Sequence, residues 1–191
     1  MSAGKPQLVL ASASPRRREL LSTLVPEFRV QPADVDESPL DDESPDDHVM
    51  RLARLKARAV FGRFPGARVL GSDTVVVIDG TILGKPGDAD DARRMLGRLS
   101  GRDHQVMSAV ALAGQEGETV ALNVTRVFFE SFPKDWIDAY VESGEPMDKA
   151  GAYAVQGGAA AWIPRLEGSY SGVMGLPLFE TAGLLRQAGV L

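Results

Sequence analysis

The run VLGSDTVVVI at residues 69–78 constrains this chain more than any other stretch. It is nearly continuous, apolar and rich in β-branched residues, the pattern of a central strand covered on both faces. Asp73 interrupts it. A carboxylate inside such a strand marks either a bulge with a satisfied hydrogen bond or a place where metal or substrate reaches the sheet, and the second is the expectation carried forward. Asp79-Gly80 is a hairpin turn signal leading into Thr81-Ile82-Leu83.

The N-terminal stretch LVLASASPRRRELLST, residues 8–23, reads as a strand feeding a helix. Pro15 suits the first helical position because its missing N–H has no partner there, and Ser14 is a good N-cap. A helix start presents free N–H groups and a partial positive charge. Ser12, Ser14, Arg16, Arg17 and Arg18 around it make either a phosphate site or a capped surface helix with a solvated basic turn.

Residues 28–31 suit a short strand. The segment DVDESPLDDESPDD that follows holds eight acidic residues in fourteen, the composition of a solvated loop. Glu37, the best placed of them, is the candidate to help hold a divalent cation. Ser44 caps a second helix with an acid three residues on. Val49, Leu52, Ala53, Ala59 and Val60 share one face of it, and Lys56 falls in the middle of that face. A lysine there must snorkel outward or meet a buried anion, since an unpaired buried ammonium is costly. Lys85 stands in the loop Gly84-Lys85-Pro86-Gly87, and Asp88 caps a third helix reaching about Leu99. Residues 105–113 and 119–130 look like an antiparallel pair. A fourth helix begins at Pro133 and a last one at about Leu178. Between these two helices lie the glycine-rich KAGAYAVQGG, an expected strand at 159–163 and an expected turn at 167–170. No repeat or linker divides the chain, so residues 1–191 read as one domain.

A net charge of −5 argues against non-specific nucleic-acid binding. The absence of cysteine excludes disulfides, thiolate metal sites and cysteine nucleophiles. The N-terminal apolar run is too short for a signal peptide, and no window approaches the roughly eighteen apolar residues of a membrane span, so a soluble cytoplasmic protein with no membrane partner is expected. Walker A, GxGxxG and GxSxG patterns are missing. His48 and His104 read as ordinary, partly exposed residues, and Trp136 and Trp162 as core packing. What remains is Ser12, Ser14, Arg16 and Arg17 at a helix start, with Lys56, Asp73 and Lys85. Cations with a carboxylate suit a polyphosphate held with a divalent metal, hence metal-assisted hydrolysis of a phosphoanhydride.

The segments LASASPRRRELL, VMRLARLKARAV, GSDTVVVIDG, ILGKPGDADDARRMLGRLSGRDHQVMSAVAL, EPMDKAGAYAVQG and GSYSGVMGLPLFET together resemble the Maf family of nucleoside triphosphate pyrophosphatases over nearly the whole chain. The resemblance implies an α/β, elongated, two-lobed fold around a mixed, curved sheet with a central cleft, of the Maf/ITPase-like type. It implies hydrolysis between the α- and β-phosphates, a divalent cation such as Mg or Mn, and a homodimer. By the same resemblance Asp73 is the proton acceptor and a metal ligand with Glu37, while Ser12, Ser14, Arg16, Arg17, Lys56 and Lys85 hold the triphosphate. Branches that resemble 7-methyl-GTP hydrolases carry an aromatic residue, glutamine and glutamate where this chain has Arg16, Thr74 and Gln156. An aromatic ring and a carboxylate suit a cationic methylated purine. This chain instead matches the dTTP/UTP branch, and the Gln156 amide complements the C=O and N–H edge of uracil or thymine. A purine-directed pyrophosphatase and a non-catalytic nucleotide-binding regulator of septum formation are the alternatives.

Overall fold

The computed structural model describes residues 6–191, and the sequence reading of residues 1–5 lies outside them. The chain begins with strand β1 (Leu8–Leu10), helix α1 (Pro15–Ser22) and the short strand β2 (Arg29–Val30). Helix α2 (Pro45–Phe61) leads to the long strand β3 (Arg68–Ile78) and its hairpin partner β4 (Thr81–Leu83). Helix α3 (Ala89–Leu99) precedes the hairpin of β5 (Asp103–Gly114) and β6 (Gly117–Phe128). Helix α4 (Lys134–Glu142) is followed by three 3-10 turns, at Glu145–Asp148, Ala150–Ala152 and Gly158–Trp162. Strand β7 (Arg165–Glu167) and helices α5 (Tyr170–Val173) and α6 (Leu178–Gln187) complete the described chain.

The helix starts follow their caps. Ser14, Ser44 and Asp88 each accept a backbone N–H three residues ahead, and Pro15 and Pro45 take the first helical positions. Residues 159–163 are not a strand: Gly158–Trp162 is a 3-10 helix. The alanines there carry no β-branch to favour an extended pleat, and the turn seats Trp162 against Phe132 and Trp136.

One mixed sheet runs in the order β2-β1-β3-β5-β6-β7, with β4 also on β3. Pairs β1 with β2 and β1 with β3 are parallel, and the rest are antiparallel. The edge of β3 that faces β1 and β4 is interrupted. Residues 68–70 pair with β1 and residues 76–78 with β4. Residues 71–75 keep β5 on one side but, among the described residues, have no strand on the other. Asp73 lies in the middle of this gap, and β1 runs straight into the start of α1 beside it.

Strand periodicity assigns the two faces of β3. Val75 and Val77 pack with Val49, Ala53 and Ala57 of α2. The buried face of α2 is thus as expected, except that Ala57 rather than the half-buried Ala59 completes it. The approach is so close that a Cβ on Gly71 would lie 2.2 Å from the Ala53 carbonyl oxygen. On the opposite face, Leu70 joins a cluster with Leu21 of α1 and Leu184 and Leu185 of α6. Val76 and Ile78 join another with Leu96 and Leu99 of α3 and Tyr140 and Val141 of α4. Each of these leucines except the slightly exposed Leu184 is fully buried and contributes about 1.5–3 kcal/mol. Ser72 and Thr74 separate the two clusters.

Candidate active site

Lys56 occupies the apolar face of α2 and is only 7% exposed. Its ammonium donates to Asp73 Oδ1 at 2.7 Å and lies 2.9 Å from Glu37 Oε1. Of the two outcomes open to a lysine on this face, snorkelling outward or meeting a buried anion, the second holds: the anion is Asp73, and Glu37 reaches the same nitrogen from the loop before α2. Partial burial works to raise the Glu37 pKa, but the Lys56 hydrogen bond and the positive charges of Lys56, Lys85 and Arg17 outweigh it and hold it below the usual carboxylate value. Lys85, exposed in its loop, thus acts on this centre through its charge. Its loop is tied down by Gly151 N–H, which donates to the Gly84 carbonyl at 2.9 Å.

Arg17 fills the gap in the β3 edge. Its guanidinium donates to the Gly175 carbonyl at 2.8 Å through Nε, to the Ser72 carbonyl at 2.8 Å through Nη1, and to Thr74 Oγ1 at 3.3 Å through Nη2. Burial lowers its pKa, with the charges of Asp73 and Glu37 acting in the opposite sense. Arginine stays protonated throughout. The Ser72 carbonyl, which a neighbouring strand would otherwise have satisfied, therefore has a charged donor. Gly175, at φ +113°, turns the chain between α5 and α6 so that its carbonyl also accepts from Ser72 Oγ at 3.0 Å.

Ser12 and Ser14 shape the turn into α1: Ser14 N–H donates to Ser12 Oγ at 3.2 Å, and Ser14 Oγ caps the helix. Arg16 is half-buried on that helix and close enough for its charge to help lower the pKa of Asp148, after the larger effect of Lys149. Gln156 is exposed between the last two 3-10 turns. Glu145 holds that segment, accepting from the Tyr140 hydroxyl at 2.7 Å and from Gly158 N–H at 3.1 Å. The structure thus gathers Lys56, Asp73 and Glu37 into direct contact, with Arg17 and Lys85 in their field. Thr74 lies on the opposite face of β3 from Asp73, beside Arg17.

Several residues of this architecture escaped the sequence reading. Ser108 donates to the Gly172 carbonyl at 2.6 Å and bonds Thr74 at 2.8 Å. A lone serine in the apolar run VMSAVALA was its only signal. Both histidines correct the expectation of partial exposure, at 5% exposed for His48 and 2% for His104. His48 bonds Glu43 at 2.8 Å, and His104 bonds the Tyr153 hydroxyl at 2.7 Å. No histidine pattern in sequence announces either partner.

A mixed sheet with a broken central edge, lined by ammonium, guanidinium and carboxylate groups, defines an α/β protein with charges of both signs gathered at one place on its central strand. The same fold is seen in the Ham1 protein of Staphylococcus aureus, with a TM-score of 0.54 at 15% identity, covering 95% of this chain and 98% of that one. The family model described as Maf-like protein matches residues 7–188, and the chain belongs to the Maf family. A Symbiobacterium thermophilum protein named dTTP/UTP pyrophosphatase is 54% identical over 183 residues, covering 96% of this chain and 94% of the relative. A Geotalea uraniireducens protein of the same name is 49% identical over 193 residues, covering both chains completely. Among the described residues, no helix is long and apolar enough to cross a membrane.

Proposed function

We propose that this chain is a nucleoside triphosphate pyrophosphatase that hydrolyses dTTP and UTP to the monophosphate and pyrophosphate. The observation that carries this reading is the Lys56 ammonium held between Asp73 and Glu37 at 2.7 and 2.9 Å. A site for binding alone has little use for two carboxylates beside the cations that meet phosphate. Relatives of about half identity along the whole chain, named for this activity, support the same reading.

In this mechanism a water oxygen adds to phosphorus at the α–β anhydride, Asp73 takes the proton, and the bridging P–O bond breaks with its electron pair on the leaving phosphate. Lys56, Lys85 and the remaining N–H groups of Arg16 and Arg17 neutralise the phosphate oxygens, and Ser12 and Ser14 bind them from the α1 turn. A divalent ion fits the donors present, because Lys56 brings the hard carboxylates of Asp73 and Glu37 to one place through Oδ1 and Oε1, and each carboxylate has a second oxygen outside those contacts. Among the described residues no group of three or more His, Cys, Asp or Glu side chains could hold a metal; Asp73 and Glu37 would hold the ion together with oxygens of the substrate phosphates and water, the hard donors that magnesium or manganese prefers. When bound, the ion offsets charge on the phosphates and makes water more acidic. Arg16 and Gln156 select the base, with the Gln156 amide pairing with the C=O and N–H edge of a pyrimidine. Thr74, the third residue that matches the pyrimidine branch, bonds Arg17 and so bears on how the triphosphate is held.

Pyrophosphate release is the test, measured over a nucleotide panel that includes dTTP, UTP, the purine triphosphates and 7-methyl-GTP, with magnesium or manganese. Turnover of dTTP and UTP is expected, and Gln156→Glu should weaken it selectively. Release with no nucleotide would overturn the catalytic reading, and preference for 7-methyl-GTP would overturn the pyrimidine assignment.

A further inference from the structure

Glu43 is out of character for its segment. It belongs to a run with eight acidic residues in fourteen, yet its side chain is only 7% exposed. Every part of the carboxylate is engaged. Arg51 donates through Nε to Oε1 at 2.5 Å and through Nη2 to Oε2 at 2.7 Å. Oε2 also lies 2.8 Å from His48 Nδ1 and accepts Leu40 N–H at 3.2 Å. The forked arginine pair fixes orientation as well as charge.

The same guanidinium reaches further along the loop, with Arg51 Nη2 donating to the Ser38 carbonyl at 3.0 Å. Ser38 N–H in turn donates to Asp36 Oδ1 at 2.9 Å, closing a tight turn around Glu37. Glu37 itself is 58% exposed at the side chain and sits in a stretch, residues 31–40, with neither helix nor strand. Its position on Lys56 is therefore not enforced by burial or by a ladder of backbone hydrogen bonds. What holds it is α2, which supplies Arg51 to the Ser38 carbonyl, Arg51 and His48 to Glu43, and Lys56 to Glu37 itself.

We propose that Glu43, Arg51 and His48 form a clamp that positions Glu37 on the Lys56–Asp73 pair, and that this clamp sets how tightly the site holds its divalent cation. The inference rests on the proposed function for the identity of the cation and for the role of Glu37. Without the clamp the loop must lose its conformational freedom when the ion binds, and affinity falls. Outer partners of metal ligands typically govern about 10–100-fold in metal affinity.

The experiment compares wild type with Glu43→Gln and Arg51→Lys, the second a milder change that keeps the charge. Hydrogen–deuterium exchange of residues 34–43, Mn²⁺ binding by electron paramagnetic resonance, and UTP hydrolysis against Mn²⁺ concentration are followed on each protein. Faster exchange in this segment, Mn²⁺ binding weakened about tenfold, and kcat at saturating Mn²⁺ close to wild type are expected. Adding Glu43→Gln to Glu37→Gln should weaken Mn²⁺ binding no further, because the clamp acts through Glu37. Unchanged exchange, unchanged Mn²⁺ affinity, or an additive double variant would overturn the clamp. Wild-type protein that binds Mn²⁺ but releases no pyrophosphate would refute the proposed function alone, since the exchange and binding measurements would still decide the clamp.

Discussion

Asp73 and Thr74 are consecutive in β3, yet they serve opposite faces of the sheet: Asp73 meets Lys56 of α2, and Thr74 meets Arg17 and Ser108. The strand thus places the Asp73 carboxylate against the ammonium while the next residue anchors the arginine that fills the broken edge. Asp73→Asn keeps the shape and removes the carboxylate proposed as the base. Pyrophosphate release should fall by about 10²–10⁴, with the circular dichroism spectrum unchanged.

Hydroxyl protons in the Thr74 network have one consistent direction. The single Ser108 proton goes to the Gly172 carbonyl, so Thr74 donates to Ser108 and accepts from Arg17. Thr74→Val deprives both neighbours at once and should lower the unfolding free energy by about 1–3 kcal/mol in urea titrations. Thr74→Ser should restore most of it. In the valine variant kcat/KM for dTTP and UTP should drop together, as an effect relayed by Arg17 does not read the 5-methyl group.

Gly71 sets the separation of α2 from the sheet. An added Cβ would lie 2.2 Å from Ala53 O, 2.7 Å from Ala57 N and 3.0 Å from Ala57 Cβ, two of these being backbone atoms that cannot swing aside. Gly71→Ala should cost about 1–3 kcal/mol, seen as a Tm lower by several degrees. Activity should fall with it, since the displaced helix takes Lys56 away from Asp73.

Acid should destabilise the fold through His104. Burial depresses its pKa from 6.5 to about 4, against a small opposing effect of Asp103, and its Nδ1 has no hydrogen-bond partner. The unfolded chain takes up a proton below pH 6.5 that the native ring refuses until about pH 4. Stability therefore falls as pH drops through that window, by up to about 3 kcal/mol. His104→Gln, which can still bond Tyr153, should flatten this part of a stability-versus-pH curve measured by chemical denaturation.

Local signals made much of this legible in the sequence. Ser14 with Pro15, Ser44 with Pro45, and Asp88 announce helix starts that the structure keeps. The apolar run around Asp73 is the central strand, and Lys56 on an apolar face has its anion. Long-range pairing was not legible. The gap in the β3 edge exists only because β1 and β4 pair with its two ends, and nothing in residues 71–75 records that. Arg17 reads as a phosphate ligand by type, whereas three of its N–H groups bond groups distant in sequence, at Ser72, Thr74 and Gly175. Glu43 is indistinguishable in sequence from the seven other acids of its run, and only the turn of α2 that brings Arg51 and His48 together singles it out.

The polar seam at Ser72 and Thr74 divides one face of β3 into two apolar clusters that share no buried residue. Substitutions in clusters without common partners add rather than interact. A substitution inside one of these clusters should therefore leave the other nearly undisturbed, whereas a change at Ser72 or Thr74 borders on both.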